Sequence, residues 1–321
     1  MPEFLADWQT LMAAVEHWLA GGNPYGEYLN YRGQQLHAGA FAYPPPALLP
    51  GAALALLPWQ LSGLLLLFLS VIGFEYWARR TSGRIALPWL LLWLPLVQNL
   101  WIGQVTLLAL VGIALAEMAY TGQRDRRAGV LLALALLKPQ TVALPALWLL
   151  LLALRGHRWR LLAAFALTST ILWGGILLSE GPAIYLKWFD GLRAYGPELP
   201  NRPLLFPPFG PLLGIFAVLL WRCYGRGDLW TLLLLLNTLI YPLSVVYVAS
   251  GVAFVIIRWR KDWPWYPLLL SWLIPASIVL VRTPDTIAAL TQAIVATGLL
   301  AGLAPRLPRP WARWERRAMP R

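Results

Sequence analysis

Residues 46–84 read PALLPGAALALLPWQLSGLLLLFLSVIGFEYWARRTSGR, and no charged residue occurs before Glu75. The apolar run from 46 to 74 is longer than the ~20 residues an α-helix needs to cross a hydrocarbon core. It ends at Glu75 and the Arg79 and Arg80 pair, where a span would meet water. Outward from it, further apolar runs occupy roughly 86–98, 104–120, 128–137, 140–154, 161–178, 211–222, 229–241, 243–257, 264–281 and 286–304. Together they predict an all-α fold, a polytopic membrane helical bundle of about 11 segments. Several runs fall short of the ~20 residues required. Segments such as 86–98 and 128–137 must therefore be tilted, partly re-entrant or screened by neighbours, because unpaired backbone ends are costly in lipid. Short helices that end inside the protein are expected to enclose a polar cavity near one leaflet.

An odd number of crossings sorts the loops into two sets. One holds Arg79, Arg80, Arg84, Arg124, Arg126, Arg127, Arg155, Arg158, Arg160, Arg222, Arg226, Arg258, Arg260, Lys261 and the tail arginines from Arg306 to Arg321. The other keeps only Arg32, Lys138, Lys187, Arg193, Arg202 and Arg282, yet carries most of the carboxylates, among them Glu3, Asp7, Glu16, Glu27, Asp190 and Glu198. By the positive-inside rule the cation-rich side is cytoplasmic. The expected layout is a multi-pass protein of the cytoplasmic (plasma) membrane. Residues 1–44 form a first extracytoplasmic loop, 45–304 a membrane domain with an outer loop at 179–209, and 305–321 a basic cytoplasmic tail.

The composition agrees: 59% of residues are hydrophobic and 12% charged, where a soluble domain has about a quarter charged. The net charge of +12 follows from topology rather than from a nucleic-acid footprint, because the cations are parcelled out between spans. Cys223 is the single cysteine, which excludes an internal disulfide. No period of 20 to 50 residues and no duplicated half is evident, unlike many secondary transporters.

Between Asp7 and Asn23, Trp8, Leu11, Met12, Val15, Trp18 and Leu19 recur at helical spacing. The pattern predicts a helix lying in the outer interface, with Asp7 as N-cap and Gly21 and Gly22 as the stop. Tryptophans at the ends of runs, such as Trp89, Trp93, Trp101, Trp173, Trp188, Trp259 and Trp263, are expected as belt anchors and packing. The outer loop, with Asp190, Arg193, Tyr195, Glu198, Asn201 and Arg202, is expected as an ordered connector, with a lid or acceptor surface as the alternative.

Three outer-face motifs remain: Asp7 to Tyr25, Gln98 to Gln104, and Lys138 to Gln140. A lysine at membrane depth costs about 2.5–3.5 kcal/mol on insertion scales, so Lys138 needs a partner. The chain offers few buried carboxylates, which makes an anionic ligand headgroup a candidate. A snorkelling or carbonyl-bound lysine is the alternative.

Asp7-Trp8, Gly21-Gly22-Asn23-Pro24-Tyr25, Phe41-Ala42-Tyr43-Pro44-Pro45-Pro46, Trp101-Ile102-Gly103-Gln104 and Leu137-Lys138-Pro139-Gln140 follow one another in an order that resembles the family 87 polyprenyl-phosphate-mannose-dependent mannosyltransferases. The resemblance covers residues 5–160 and is faint from 210 onward. It implies a GT-C membrane glycosyltransferase that takes a sugar from a polyprenyl-phosphate donor on the outer face and adds it to a hydroxyl of a glycan or glycolipid acceptor. It also implies that the general base is an aspartate in the first outer loop, which falls on Asp7. Members of that family usually have a span before this aspartate, whereas this sequence begins six residues ahead of it. A truncated or misassigned start is one reading of that departure, and a catalytically dead membrane scaffold another. Where the family often carries a polar motif late in the chain, Tyr241-Pro242-Leu243-Ser244 is followed by no acid or histidine.

The chemistry fits the residue types. Departure of a lipid phosphate adds charge to its oxygens, which a cation stabilises toward the transition state. Lys138 takes that role, with Arg202 or Arg282 as helpers. Gln104 and Gln140 carry donors and acceptors suited to phosphate oxygens or sugar hydroxyls, with helix capping or interhelical contacts as an equal alternative. Tyr25, Tyr43 and His37 are candidates for substrate contacts, and His17 flanks the site in sequence. No Asp-x-Asp pair and no His or Cys cluster has ligand spacing, so no metal is required, although a weak divalent site on Asp7 stays open. A lipid or lipid-linked-sugar flippase, without chemistry, is the competing reading.

Overall fold

The computed structural model describes residues 3–195, 202–260, 262–276 and 283–305. Arg282, Glu198, Asn201, Lys261 and the basic tail from Arg306 lie outside them. The described chain is almost entirely helical: α1 (Ala6–Leu19), α2 (Leu48–Leu54), α3 (Trp59–Ser82), α4 (Leu87–Leu92), α5 (Leu94–Trp101), α6 (Thr106–Thr121), α7 (Asp125–Ala135), α8 (Pro139–Arg155), α9 (Trp159–Ser169), α10 (Gly175–Glu180), α11 (Ala183–Ala194), α12 (Gly210–Leu220), α13 (Leu229–Ile240), α14 (Gly251–Trp259), α15 (Tyr266–Ala276) and α16 (Pro284–Leu303). A two-residue antiparallel hairpin, β1 (Tyr28–Leu29) with β2 (Gln35–Leu36), sits in the loop after α1.

Among the described residues, Trp59–Ser82, Trp159–Glu180 and Asp285–Leu303 are each long and apolar enough to cross a membrane alone, and α5 and α6 together form a pair bent by 111°. The all-α membrane bundle read from the apolar runs is what the chain forms. The opening run differs in detail. It is not one span, because Pro58 has no N–H and takes the N-cap place of α3. Residues 48–54 make a separate short helix, and α3 runs on past Glu75 to a left-handed Gly83 at φ +72°. Glu75 does not stop the helix: its carboxylate accepts from Arg79 Nε at 2.8 Å and from the Ala86 N–H at 2.9 Å.

Short helices arise where proline or glycine interrupts an apolar run. Trp93 is extended between α4 and α5, and its indole donates to Thr297 Oγ1 at 3.2 Å. Trp77, Trp89 and Trp93 are fully buried, so they pack the core and do not anchor a belt, whereas Trp101 and Trp173 remain exposed. One apolar core joins α3 to α8 and α12 to α16.

A second, smaller core lies beneath α1. Here Trp8, Met12 and Val15 meet Phe41, Leu48, Leu66, Ile176 and Ile184. The apolar face of α1 is therefore covered by protein rather than laid on lipid, as expected for an interfacial helix. Helix α2 and the loop before it supply part of that cover through Phe41, Tyr43, Leu48 and Leu49.

The end of the bundle opposite α1 collects the arginines of the short connections. There Arg158 pairs with Asp125 at 3.1 Å, and Arg258 with Glu117 and Asp228, both at 2.8 Å.

Candidate active site

Three breaks in the helical legs converge under α1. The first is the α5–α6 corner. Gly103 turns there at φ +69°, and a Cβ at that position would lie 2.7 Å from Leu5 Cδ2 and 2.8 Å from Trp8 Cβ. Only glycine lets the corner approach so closely. Its carbonyls serve as the anchor for the start of α1: Leu5 N–H donates to Trp101 O at 2.7 Å and Asp7 N–H to Ile102 O at 2.9 Å. Leu5 itself is left-handed, φ 60°, and occupies the N-cap. Asp7 therefore does not cap the helix. The Trp8 indole fixes the same turn to α3 by donating to Trp59 O and Ser62 Oγ, both at 3.1 Å.

With its backbone pinned this way, Asp7 projects toward the residue after Gly103. Gln104 Nε2 donates to Asp7 Oδ2 at 2.7 Å. Gln104 Oε1 accepts from Tyr43 Oη at 2.6 Å, from the Val105 N–H at 3.0 Å and from Lys138 Nζ. Gln104 is held from behind, its N–H donating to the carbonyl of buried Asn99 at 2.9 Å.

The second break is the α7–α8 turn, where Pro139 opens α8 and leaves Lys138 at its N-cap. The Lys138 side chain is buried, sits 5.0 Å from the Tyr43 ring centre and 5.6 Å from that of Tyr247, and donates to Tyr43 Oη at 3.4 Å. The third break follows α13. Asn237 ties it to α8, donating to Gln140 O at 2.9 Å while accepting from the Leu144 N–H at 3.0 Å. Beyond it come Tyr241, whose hydroxyl meets the Gln140 side chain, and Tyr247, which meets Tyr195.

These groups line one cavity of about 1220 Å³. Asp7, Gln104, Tyr43, His37, Lys138 and Gln140 are all on its wall. Asp7 and Lys138, far apart in sequence, thus share one hollow. Burial raises the Asp7 carboxyl above the ordinary carboxylate range, against the opposing pulls of Lys138 and the Gln104 hydrogen bond.

Other expected residues lie elsewhere. Tyr25 is buried behind the wall, packed on Phe41, and its hydroxyl donates to Tyr43 O at 3.1 Å. Arg202 is off the wall and paired with Asp285 at 2.9 Å. His17 stacks on Tyr28 at 5.7 Å and lines a separate, smaller cleft. Helix α11 roofs the cavity with Trp188, Leu192 and Arg193, and the Trp188 indole donates to Ala42 O at 3.4 Å. The outer loop is thus part of the chamber as well as a connector. Tyr241, Tyr247 and Glu27 also line it. Spacing gave no hint of these, although Tyr241-Pro242 marks the helix break that delivers two of them.

The wall offers a carboxylate that can take a proton, a buried ammonium that can meet an anion, and phenols that donate hydrogen bonds. Among the described residues no group of three or more His, Cys, Asp or Glu gathers in one place.

A profile of glycosyltransferase family 87 matches residues 41–284. The stretch includes Tyr43, Gln104, Lys138, Gln140, Tyr241 and Tyr247 but not Asp7, and it extends well past the region where the motifs are legible by eye. No curated protein and no solved structure matches the chain.

Proposed function

The chain belongs to glycosyltransferase family 87, and we propose that it transfers a sugar, mannose by the family resemblance, from a polyprenyl-phosphate donor to a hydroxyl of a glycan or glycolipid acceptor. We place the reaction on the extracytoplasmic side, because the cavity lies at the end of the bundle away from the arginine-rich connections. The observation that carries the reading is the convergence of Asp7 and Lys138 on one cavity wall, bridged by the Gln104 amide.

In this mechanism the acceptor oxygen attacks the anomeric carbon while Asp7 takes its proton. The bond from that carbon to the phosphate oxygen breaks, and its electron pair stays on the departing polyprenyl phosphate. The sugar carbon inverts, and the products are the new glycoside and polyprenyl phosphate. Lys138 faces the charge that grows on the phosphate as the bond lengthens, so its attraction is stronger in the transition state than in the bound donor. The Gln140 side chain and the phenols of Tyr241 and Tyr247 can add neutral donors beside that cation. Lys138 supplies the positive charge, so the step is written without a metal and should proceed in the presence of a chelator.

Transfer from a radiolabelled polyprenyl-phosphate sugar in membranes carrying the intact protein or Asp7→Asn tests the reading. Asp7→Asn is expected to lose about 10²–10⁴-fold in turnover, the range for a general base. Equal turnover by the two would remove Asp7 from this role. Movement of the donor across the bilayer without a new glycoside would favour the flippase.

A further inference from the structure

We propose that Gln104 is a positioning residue acting as a spacer: its carboxamide keeps Asp7 and Lys138 from closing into a direct ion pair. The carboxylate is thereby left able to take a proton and the ammonium able to meet an anion. The inference rests on the roles given to Asp7 and Lys138 above.

The geometry carries it. The amide lies between the two charged groups, with its NH₂ on Asp7 Oδ2 and its oxygen on Lys138 Nζ. Its orientation is fixed by chemistry, because the Val105 N–H and the Lys138 ammonium can only donate and both require an acceptor where Oε1 stands. With Oε1 shared by three protein donors and one N–H of Nε2 given to Asp7, the amide is held between the two ions and keeps a single N–H for any other partner. Among the described residues Asp7 Oδ1 takes no hydrogen bond, and Asp7 and Lys138 form no ion pair. Collapse into contact would be favourable with Lys138 buried and Asp7 half-buried, because an ion pair there outweighs one hydrogen bond to a neutral group. That collapse would make Asp7 a weaker base and neutralise the cation. A neutral amide, donor on one edge and acceptor on the other, satisfies both ions without cancelling either. Glutamate at 104 cannot donate to Asp7 when ionised, and asparagine is one methylene too short to span the gap.

Other ionisable groups around the cavity are Glu27, His37 and Arg193, with the phenols of Tyr43, Tyr195, Tyr241 and Tyr247. The phenols stay neutral across the range where carboxylates titrate. A direct readout of Asp7 is therefore needed beside the rate. It is provided by infrared difference titration of the full chain in lipid nanodiscs, with Asp7→Asn as the spectral blank. Wild type, Gln104→Met and Gln104→Glu are compared, together with kcat/KM against pH for sugar transfer and the Tm of each.

Gln104→Met should lower the Asp7 titration midpoint by at least one pH unit, about tenfold in its proton affinity. The acid limb of kcat/KM should follow, with a raised KM for the donor. Gln104→Glu should move the midpoint up, because a second carboxylate then faces the first. A Gln104→Met midpoint that stays within a few tenths of a unit, or that rises as simple loss of the Gln104 hydrogen bond would make it, would overturn the spacer. So would a raised donor KM with an unmoved midpoint, the pattern of a simple donor ligand. Should Gln104→Met fail to fold, Gln104→Leu, which removes the same donor and acceptor, is read in its place. A shifted midpoint in a protein that transfers no sugar would leave the spacer standing and remove the proposed reaction instead.

Discussion

Two partly buried ionic clusters sit at opposite ends of this bundle, and they are built differently. At the arginine-rich end, Arg258 meets Glu117 through both terminal nitrogens, at 2.8 and 3.0 Å, and Asp228 through Nε at 2.8 Å, while stacking 5.1 Å from the Trp230 ring centre. Asp228 also caps α13, accepting from the Thr231 N–H at 3.2 Å. Each charge there is met by opposite charge, and none of the three residues lines the chamber under α1. At the α1 end, the carboxylate and the ammonium are held apart by an amide, and both face a chamber of about 1220 Å³. A closed fork locks three helices together. An interrupted pair keeps its charges available and gives up stability to do so, as expected where groups with displaced proton affinities serve chemistry.

The largest expected effect separates the two clusters outright. Lys138→Met should cut sugar transfer about 10²–10³-fold, the loss typical of removing one charge-stabilising group, with the thermal midpoint of the protein held or raised. Arg258→Met should do the reverse. It leaves Glu117 and Asp228 without their partner, which costs up to about 3–5 kcal/mol, while the folded fraction keeps its turnover. Thermal unfolding and specific activity of the two variants, measured side by side, would break the contrast if both lost stability or both lost only rate.

A smaller effect sharpens it. Asp7 must be ionised to act, and its proton affinity in the fold is raised. The acid limb of kcat/KM should therefore lie above the ordinary carboxylate range and fall tenfold per pH unit below its midpoint. The folded state holds that proton more tightly than the unfolded chain. Asp7 thus lowers stability as pH rises through the interval between the two values, and the penalty disappears below it. A limb at or below the ordinary range would identify a different base. The smallest effect belongs to Arg202, whose partner Asp285 is exposed. Arg202→Ala should change transfer by less than about twofold, in keeping with the ~0–1 kcal/mol of exposed pairs.

The legible part of this protein was what local sequence encodes. Charge-free runs gave the helical legs, because the hydrocarbon core leaves a buried backbone few other ways to satisfy itself. The polar motifs at 98–104 and 138–140 marked interruptions in the apolar runs, and the structure shows why the helices break there: Pro139 lacks an N–H and Gly103 accepts a left-handed turn. The same reasoning misplaced the face of α1. An amphipathic stripe states that one side is apolar, not whether lipid or protein covers it. It also named Arg202 as a helper of Lys138, whereas that side chain lies off the cavity wall and pairs with Asp285, because position in a loop does not say which way a side chain turns.

By itself, then, the sequence determined a helical membrane bundle and the few polar groups worth following. Tertiary structure alone decided which of those groups meet. The Gly103 corner docks its carbonyls on the start of α1, so Asp7 faces Gln104, and the α7–α8 turn brings Lys138 to the other edge of the same amide. Hydrogen bonds and ion contacts act over a few ångströms, whereas the residues that make them here come from distant stretches of chain. Their convergence depends on how every intervening helix packs, which no local pattern records.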